Sequence, residues 1–232
     1  MNKLMVAAIA AICGVCAFAE KPAPDMVVIP GKGKIAFVNA AGVSDSALRG
    51  AAENVRNSLM INAEVKGGNW SFATARKNLS DTGANAAVFV VKDASLPISL
   101  IAMEEKWGVV NASGLSDAAI SKETLRVGLV VLGAAASKNE ASVMTPVFSV
   151  QELEKMPGDS VTIESLMSIF PTVESLGITQ TETVDYACAL RRGIAPEPTN
   201  DVQRKLKKDY EKKVADRAAR RAAANATDGR KK

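Results

Sequence analysis

Three segments in the first half of the chain have the apolar patterns of β-strands. Residues 34–40 (KIAFVNA) form a short apolar run rich in β-forming side chains, and Ala86–Val91 (AAVFVV) is continuously apolar. Residues 61–66 alternate between apolar and polar positions and stop at Gly67-Gly68. Continuous runs are typical of strands buried on both faces, and alternation is typical of a half-buried strand. The pattern therefore predicts three strands.

Helical patterns separate these strands. After a serine that can cap a helix, either Ser44 or Ser46, one apolar stripe recurs at helical spacing: Leu48, Ala52, Val55 and Leu59. A second, shorter helix stops before Gly83 and is marked by three apolar residues: Phe72, Ala75 and Leu79. The alternating order of strands and helices favours right-handed crossovers and a mostly parallel sheet.

The second half of the chain continues this plan. Two short strands are predicted at residues 98–103 and Trp107–Asn111, and one of them is a candidate antiparallel edge strand. A long helix is predicted over residues 117–132, with Gly133 ending it, and two further helices over residues 149–155 and 162–170. We therefore predict an α/β fold with a mixed, mostly parallel twisted sheet, crossover helices and a C-terminal basic helix.

The N-terminus has the features of a targeting segment. Lys3 precedes an apolar run over residues 4–15, and Ala17-Phe18-Ala19 precedes Glu20. A bilayer span takes about 20 residues, so this run is too short for one. Together these features predict a secretory signal peptide over residues 1–19. We expect an exported protein, periplasmic or secreted, with no transmembrane span after the signal is removed; the alternative is an uncleaved anchor helix.

Removal of that signal would take Cys13 and Cys16 with it and leave Cys188 as the one cysteine. A single thiol makes no intramolecular disulfide, even in an oxidising compartment. We expect Cys188 to be buried, the alternative being pairing with another chain. Residues 20–33 contain three prolines and are predicted to be a linker. A domain is then expected over residues 34–198.

Positive charge is concentrated at the C-terminal end. Residues 201–232 hold 12 Lys and Arg against 5 Asp and Glu, whereas residues 20–200 are mildly acidic. A basic helix is predicted over residues 199–224, with a thin stripe of Val202, Leu206, Tyr210 and Val214, and a disordered tail over residues 225–232. Such a segment is attracted to an anionic surface. Nucleic acid is not an expected partner, because interleaved aromatic residues are absent and export is expected.

The segment KETLRVGLVVLGAAASKNEASVM, residues 122–144, resembles the active-site segment of archaemetzincin-like zinc peptidases, of the metzincin group. In that family a helix carries HExxHxxG, in which histidines four apart ligate zinc and the glutamate is the general base. Aligned without a gap, Arg126, Val127 and Val130 occupy the histidine, glutamate and histidine positions, and Gly133 the glycine position. Val143-Met144 matches the family's apolar-methionine turn, and Ser137 and Ser142 stand where the family has cysteines.

The chain contains no histidine, so neither a His-ligated zinc site nor a Ser-His or Cys-His nucleophile pair is expected. We expect no cofactor and no metal. Arg126 either lies on the solvent side of the helix or fills the position of the former ligand and pairs with an acid such as Glu123. Glu104 and Glu105 are the only adjacent acidic pair and are expected to be solvated surface.

The resemblance implies a degenerate, catalytically inactive member of the family that binds a peptide or protein along the former cleft, where an edge strand accepts an extended segment. The candidate binding residues are Arg126, Val127, Val130, Gly133 and Met144. Two alternatives stay open. One is a structural envelope protein whose residues 201–232 attach to an anionic surface, and the other is a hydrolase that uses an unrecognised site.

Overall fold

The structure is a computed structural model that describes residues 23–156, 158 and 160–228. The predicted signal peptide, residues 1–19, lies outside these residues, as do Cys13 and Cys16. The described chain divides into two compact units. The larger is Gly31–Thr181, and the smaller combines the described residues before and after it.

The larger unit is built on a sheet of five strands, which are β2 (Ile35–Asn39), β3 (Ala63–Gly67), β4 (Ala86–Val91), β5 (Ser99–Ala102) and β6 (Trp107–Asn111). Their order in the sheet is β3-β2-β4-β6-β5. Strands β2, β3, β4 and β6 are parallel, and β5 pairs antiparallel with β6 at one edge. The predicted mixed, mostly parallel α/β fold and the antiparallel edge strand are therefore confirmed.

Five α-helices of this unit connect or follow the strands among the described residues. They are α1 (Asp45–Leu59), α2 (Ala75–Thr82), α3 (Asp117–Val131), α4 (Val150–Lys155) and α5 (Ile163–Ser175). Short 3-10 turns lie at Phe72–Thr74 and Met103–Glu105. Helix α5 continues past the predicted end at residue 170, because Pro171 lies inside it without ending it.

Side-chain caps fix where the longer helices begin. The hydroxyl of Ser44 accepts a hydrogen bond from the Ser46 N–H at the start of α1, which selects Ser44 of the two predicted caps. The Ser116 hydroxyl accepts from the Ala119 N–H at 3.2 Å and begins α3, and Thr162 caps α5 in the same way. Because each cap satisfies N–H groups that the helix leaves free, the sequence-predicted starts agree with the structure within a residue.

Helices α1 and α3 cover one face of the sheet, and α2 covers the other. Alternate side chains of β2 separate the two layers: Phe37 contacts α3, whereas Ala36 and Val38 pack with α2 residues Ala75 and Leu79. The α2 face also carries a group of aromatic rings from the sheet and the segment before α2: Trp70, Phe72, Phe89 and Trp107. The core is therefore two apolar layers divided by the sheet.

Two glycines allow α3 to approach the sheet closely. A Cβ atom on Gly108 of β6 would lie 2.3 Å from Cγ1 of Val127, and one on Gly128 would lie 2.9 Å from the Phe37 ring. Both neighbours are fully buried, at 0 % exposure. One glycine on each surface thus removes the atoms that would otherwise hold the helix away.

The smaller unit pairs β1 (Met26–Ile29) antiparallel with β7 (Glu182–Asp185), followed by α6 (Tyr186–Arg192) and α7 (Asp201–Asp228). Residues 26–29 thus form a strand where the sequence predicted a linker over residues 20–33. The predicted domain over residues 34–198 also differs, because the chain beyond Thr181 belongs to this unit. Helix α7 continues to Asp228, so residues 225–228 are helical rather than disordered, and residues 229–232 lie outside the described part.

Tyr186 is the centre of the smaller unit. Its side chain is fully buried with Val27 and Ala189, and its hydroxyl donates to the Pro196 carbonyl at 2.9 Å. Burial raises the pKa of the Tyr186 hydroxyl, so it stays a neutral donor. Cys188 is half-buried, less than predicted. Across the described residues, no helix has both the length and the apolar character needed to cross a bilayer.

The close approach of α3 predicts that alanine substitution of two strand glycines affects the free energy of unfolding differently. Gly108→Ala places a methyl group against Val127, so we expect the free energy of unfolding to fall by about 1–3 kcal/mol. Gly67→Ala is the matched control, because a Cβ there meets no atom within 4 Å. That variant should match the wild type or gain up to about 1 kcal/mol. Urea unfolding of both variants measures the difference, and equal stabilities would contradict the packing argument.

Candidate functional site

Residues Arg126, Val127 and Val130 lie on α3, which crosses the sheet and faces β5 at its edge. Successive residues of a helix point in different directions, so their surroundings differ. Val127 is fully buried against Gly108, whereas Val130 is half-buried. Val127 therefore packs against the sheet, and the three positions do not form a convergent set of polar groups.

Arg126 reaches two partners in the interior. Its guanidinium forms a two-pronged contact with the Glu123 carboxylate, from Nε to Oε2 at 2.8 Å and from Nη2 to Oε1. Nη2 also donates to the Ser99 hydroxyl of β5 at 3.1 Å. The Glu123 side chain is 0 % exposed and that of Arg126 is 15 % exposed. A planar guanidinium suits this bidentate geometry, and the pair links α3 to the edge strand.

This contact decides between the two sequence-based expectations for Arg126. The solvent-facing interpretation is wrong, because the side chain is mostly buried and paired with Glu123. Sequence spacing allowed the pair, since residues three apart share a helix face. Ser99 was missed, because its approach to α3 depends on the antiparallel return of β5.

Gly133 ends α3 in a conformation that favours glycine, with φ of +99°. Its N–H donates to the Val130 carbonyl and the Ala134 N–H to the Leu129 carbonyl, both at 2.8 Å. A Cβ on Gly133 would lie 2.3 Å from Oγ1 of Thr172 in α5. Gly133 therefore provides both a helix stop and space for α5.

Met144 lies in a tight turn and is buried, with 2 % exposure. The Thr145 N–H donates to the Ser142 carbonyl at 3.0 Å, which closes the turn, and the Ser137 N–H donates to the Met144 carbonyl at 2.9 Å. The adjacent Val143 N–H bonds the Ser160 carbonyl at 2.8 Å. Ser137 and Ser142 thus stabilise the loop through backbone and hydroxyl hydrogen bonds.

An apolar cavity of about 590 Å³ follows this turn. Its uncharged lining residues are Ala141, Thr145, Pro146, Val147 and Met156, and its charged ones are Glu140, Glu152 and Lys155. The same segment continues into Phe148, whose side chain is 85 % exposed. The cavity and the exposed Phe148 ring together make this surface a candidate contact site. Only the Pro-Val-Phe run after Met144 pointed to it in the sequence.

The outer side of β5 pairs with no other strand among the described residues. The Asn111 N–H donates to the Ile98 carbonyl at 2.8 Å, which makes Ile98 and Asn111 a hydrogen-bonded pair. Such pairs alternate along an antiparallel ladder. With Leu100 opposite Val109 and Ile101 opposite Gly108, the next bonded residue is Leu100. Ser99 and Ile101 therefore direct their backbone N–H and C=O groups toward the open side.

Carboxylates elsewhere in the unit serve structural contacts. Glu104 and Glu105 are exposed as predicted, and Glu105 accepts a hydrogen bond from the Trp107 indole at 3.1 Å. The Ser116 N–H and hydroxyl donate to the Glu154 carboxylate at 2.9 and 2.8 Å and lower its pKa. Within the described ranges, no group of three or more acidic or thiol side chains is arranged to hold a metal ion.

Among known proteins, similarity to this chain was found only with solved structures. Archaemetzincin from Methanopyrus kandleri is 11 % identical to this chain, and the match has a TM-score of 0.49. It covers 61 % of this chain and 96 % of the archaemetzincin chain. A zinc-dependent peptidase from Methanocorpusculum labreanum is also 11 % identical, with a TM-score of 0.46. That match covers 59 % of this chain and 100 % of the peptidase chain. No family model and no curated protein matches the sequence. Similarity at these TM-scores establishes neither family membership nor activity.

The buried ion pair predicts a large stability loss when one partner is removed. Arg126→Met leaves the Glu123 carboxylate buried without its counter-ion, so we expect the free energy of unfolding to fall by about 3–5 kcal/mol. Adding Glu123→Leu to the same protein removes the uncompensated charge and should recover most of the loss. A double-mutant cycle in urea measures this coupling. Additive losses from the two substitutions would show that the pair is not coupled.

Proposed function

We propose that this protein is an exported, catalytically inactive α/β protein that binds an extended peptide or protein segment along the open side of β5. The observation that carries the proposal is the outward direction of the Ser99 and Ile101 backbone groups. An extended segment placed beside them adds a sixth strand to the sheet. Its affinity comes from main-chain hydrogen bonds, with side chains adding specificity.

The Arg126–Glu123 pair supports this role by holding the edge strand in place. The guanidinium donates to the Ser99 hydroxyl at 3.1 Å while Glu123 holds it from the other side. An edge strand that is fixed before binding loses less conformational entropy when a partner arrives. Arg126 occupies the helix position where the resembled family carries a zinc ligand, and we propose that its fixed cation positions the edge strand instead of binding a metal.

The proposed lack of catalysis follows from the side chains that the chain contains. Without any histidine, the sequence offers neither the imidazole ligands nor the imidazole base on which the resembled peptidases depend. The short apolar run after Lys3 and the Ala-x-Ala site support export. Apolar contact area around Phe148 and the cavity of about 590 Å³ supports a polypeptide partner.

Ile101→Pro tests strand addition, because proline removes the outward N–H without removing a β5–β6 hydrogen bond. Peptides of twelve random residues, selected by display on the wild-type protein, serve as probes. We expect the selected peptides to shift the Ser99 and Ile101 amide resonances and to lose at least about tenfold in affinity for Ile101→Pro. Mass spectrometry should recover them intact after incubation with added zinc.

Ile101→Ala is the matched control, because it also shortens the side chain and keeps the N–H. It should bind the selected peptides within a few-fold of the wild type. Equal binding to the proline and alanine variants, or resonance shifts away from β5, would refute strand addition. Zinc-dependent cleavage of the peptides would instead refute the inactive assignment and leave the binding surface standing.

A second candidate function is attachment to an anionic surface through α7. The start of this helix packs in its own unit, since Gln203 is 3 % exposed and donates to the Met26 carbonyl at 3.0 Å. From residue 211 to residue 221 every described side chain is exposed. Residues 211–232 carry eight basic and three acidic side chains. Each basic residue near an anionic membrane adds about 1 kcal/mol of attraction.

Truncation after Tyr210 separates this function from the packed part of α7. Wild-type protein should bind phosphatidylglycerol vesicles at low salt and release them as the ionic strength rises, because exposed charges are screened. The truncated protein should lose this binding while keeping its unfolding midpoint. Co-sedimentation with phosphatidylglycerol and with phosphatidylcholine vesicles gives the comparison. Equal binding of both proteins to the anionic vesicles would remove this candidate.

A further inference from the structure

A crevice opens where the strand order of the sheet reverses, at the carboxyl ends of β2 and β4. From β2 the chain leads into α1 on one face of the sheet. From β4 it leads into a segment whose Leu96 packs with the aromatic group on the opposite face. Chain segments that leave neighbouring parallel strands toward opposite faces leave a gap between them, and open α/β sheets bind ligands there.

The crevice has a volume of about 510 Å³, which suits a small molecule. Its walls are Ala40 after β2, the segment Val91 to Asp93 with Leu96 after β4, and four consecutive residues before α2: Asn69, Trp70, Ser71 and Phe72. None of these residues belongs to β5 or α3, so the crevice is separate from the proposed peptide surface.

Aromatic rings form one wall. The ring centroids of Trp70 and Phe72 are 5.5 Å apart in an edge-to-face arrangement, and Trp107 lies 5.0 Å from Trp70. The Phe72 side chain is 50 % exposed. The Trp70 indole nitrogen is buried and has no acceptor among the described residues. This wall offers a ring surface for stacking and a donor that lacks a partner.

Some polar side chains on the other walls already have hydrogen-bond partners within the protein, and others have none among the described residues. The Asp93 carboxylate accepts from the Ser95 N–H at 2.9 Å and from the Ser95 hydroxyl at 2.6 Å. The exposed Lys92 ammonium has no carboxylate within salt-bridge distance in the described part of the chain, and the Asn69 amide makes no hydrogen bond there. A cation and an amide thus remain free to meet a ligand.

We propose that this crevice binds a small aromatic carboxylate. The ring of the ligand lies against Phe72 and Trp70, and its carboxylate meets the Lys92 ammonium and the Asn69 amide. Stacking alone is weak in water, and so is one exposed charge pair. Because the aromatic residues and Lys92 line one crevice of about 510 Å³, a molecule that carries both a ring and a carboxylate is favoured over molecules that carry one.

Benzoate is the probe, and the two tryptophans of the chain are the reporters, since Trp70 and Trp107 are in ring contact. We expect a saturable change in tryptophan emission and saturation-transfer NMR signals from the benzoate ring. Acetate, which lacks the ring, and benzyl alcohol, which lacks the charge, should each bind about tenfold more weakly, equivalent to about 1.4 kcal/mol. Lys92→Ala should weaken benzoate binding about three- to fivefold, because an exposed charge pair contributes less than the ring and the charge together.

Lys138→Ala is the matched control, because it removes an exposed lysine outside the crevice and should leave benzoate affinity within about twofold. Phe72→Ala is the second variant and should remove the preference for benzoate over acetate. Absence of saturable benzoate binding up to about 10 mM would overturn the proposal, since a contact weaker than that is negligible. Equal affinity for benzyl alcohol, or equal weakening by Lys138→Ala, would also overturn it.

Discussion

The larger unit depends on the close approach of α3 to the sheet. Gly108 on β6 and Gly128 on α3 remove the atoms that would otherwise separate the two surfaces, so Val127 and Phe37 interlock across the interface. This contact buries the apolar half of the helix and fixes its rotation about its own axis. Once the rotation is fixed, Val127 faces the sheet and Arg126 faces the edge strand. The contact between Arg126 and the Ser99 hydroxyl of β5 follows from that orientation.

The buried Arg126–Glu123 pair gives α3 a polar contact with the edge of the sheet. Residues one turn apart on α3 carry a cation and apolar side chains, and the cation is neutralised within the same helix. A buried charge pair adds little net stability compared with apolar residues of the same shape. The pair instead orients the Arg126 guanidinium, which donates a hydrogen bond to the Ser99 hydroxyl. The helix thereby positions the strand that carries the proposed binding groups.

Strand order, rather than the helices, creates the two surfaces to which we assign binding. Antiparallel return of the chain after β4 leaves β5 as an edge with outward backbone groups. The change in strand order between β2 and β4 opens the crevice beside Trp70. An extended polypeptide suits the first surface and a small ring-bearing anion suits the second. The two surfaces use different residues, so each can be altered without the other.

Local patterns in the sequence determined the elements of the larger unit: apolar periodicity placed its strands and helices, and Ser44, Ser116 and Gly133 set helix ends through contacts within a few residues. The absence of histidine was equally plain. The tertiary structure decided the features that depend on pairing between segments far apart in the sequence. Strands β1 and β7 are four residues each and pair although they lie far apart in sequence, so no local pattern marked residues 26–29 as a strand and they resembled a linker. Ser99 contacts Arg126, and Trp70 and Lys92 line one crevice, only because the sheet order brings distant segments together, which no local pattern encodes.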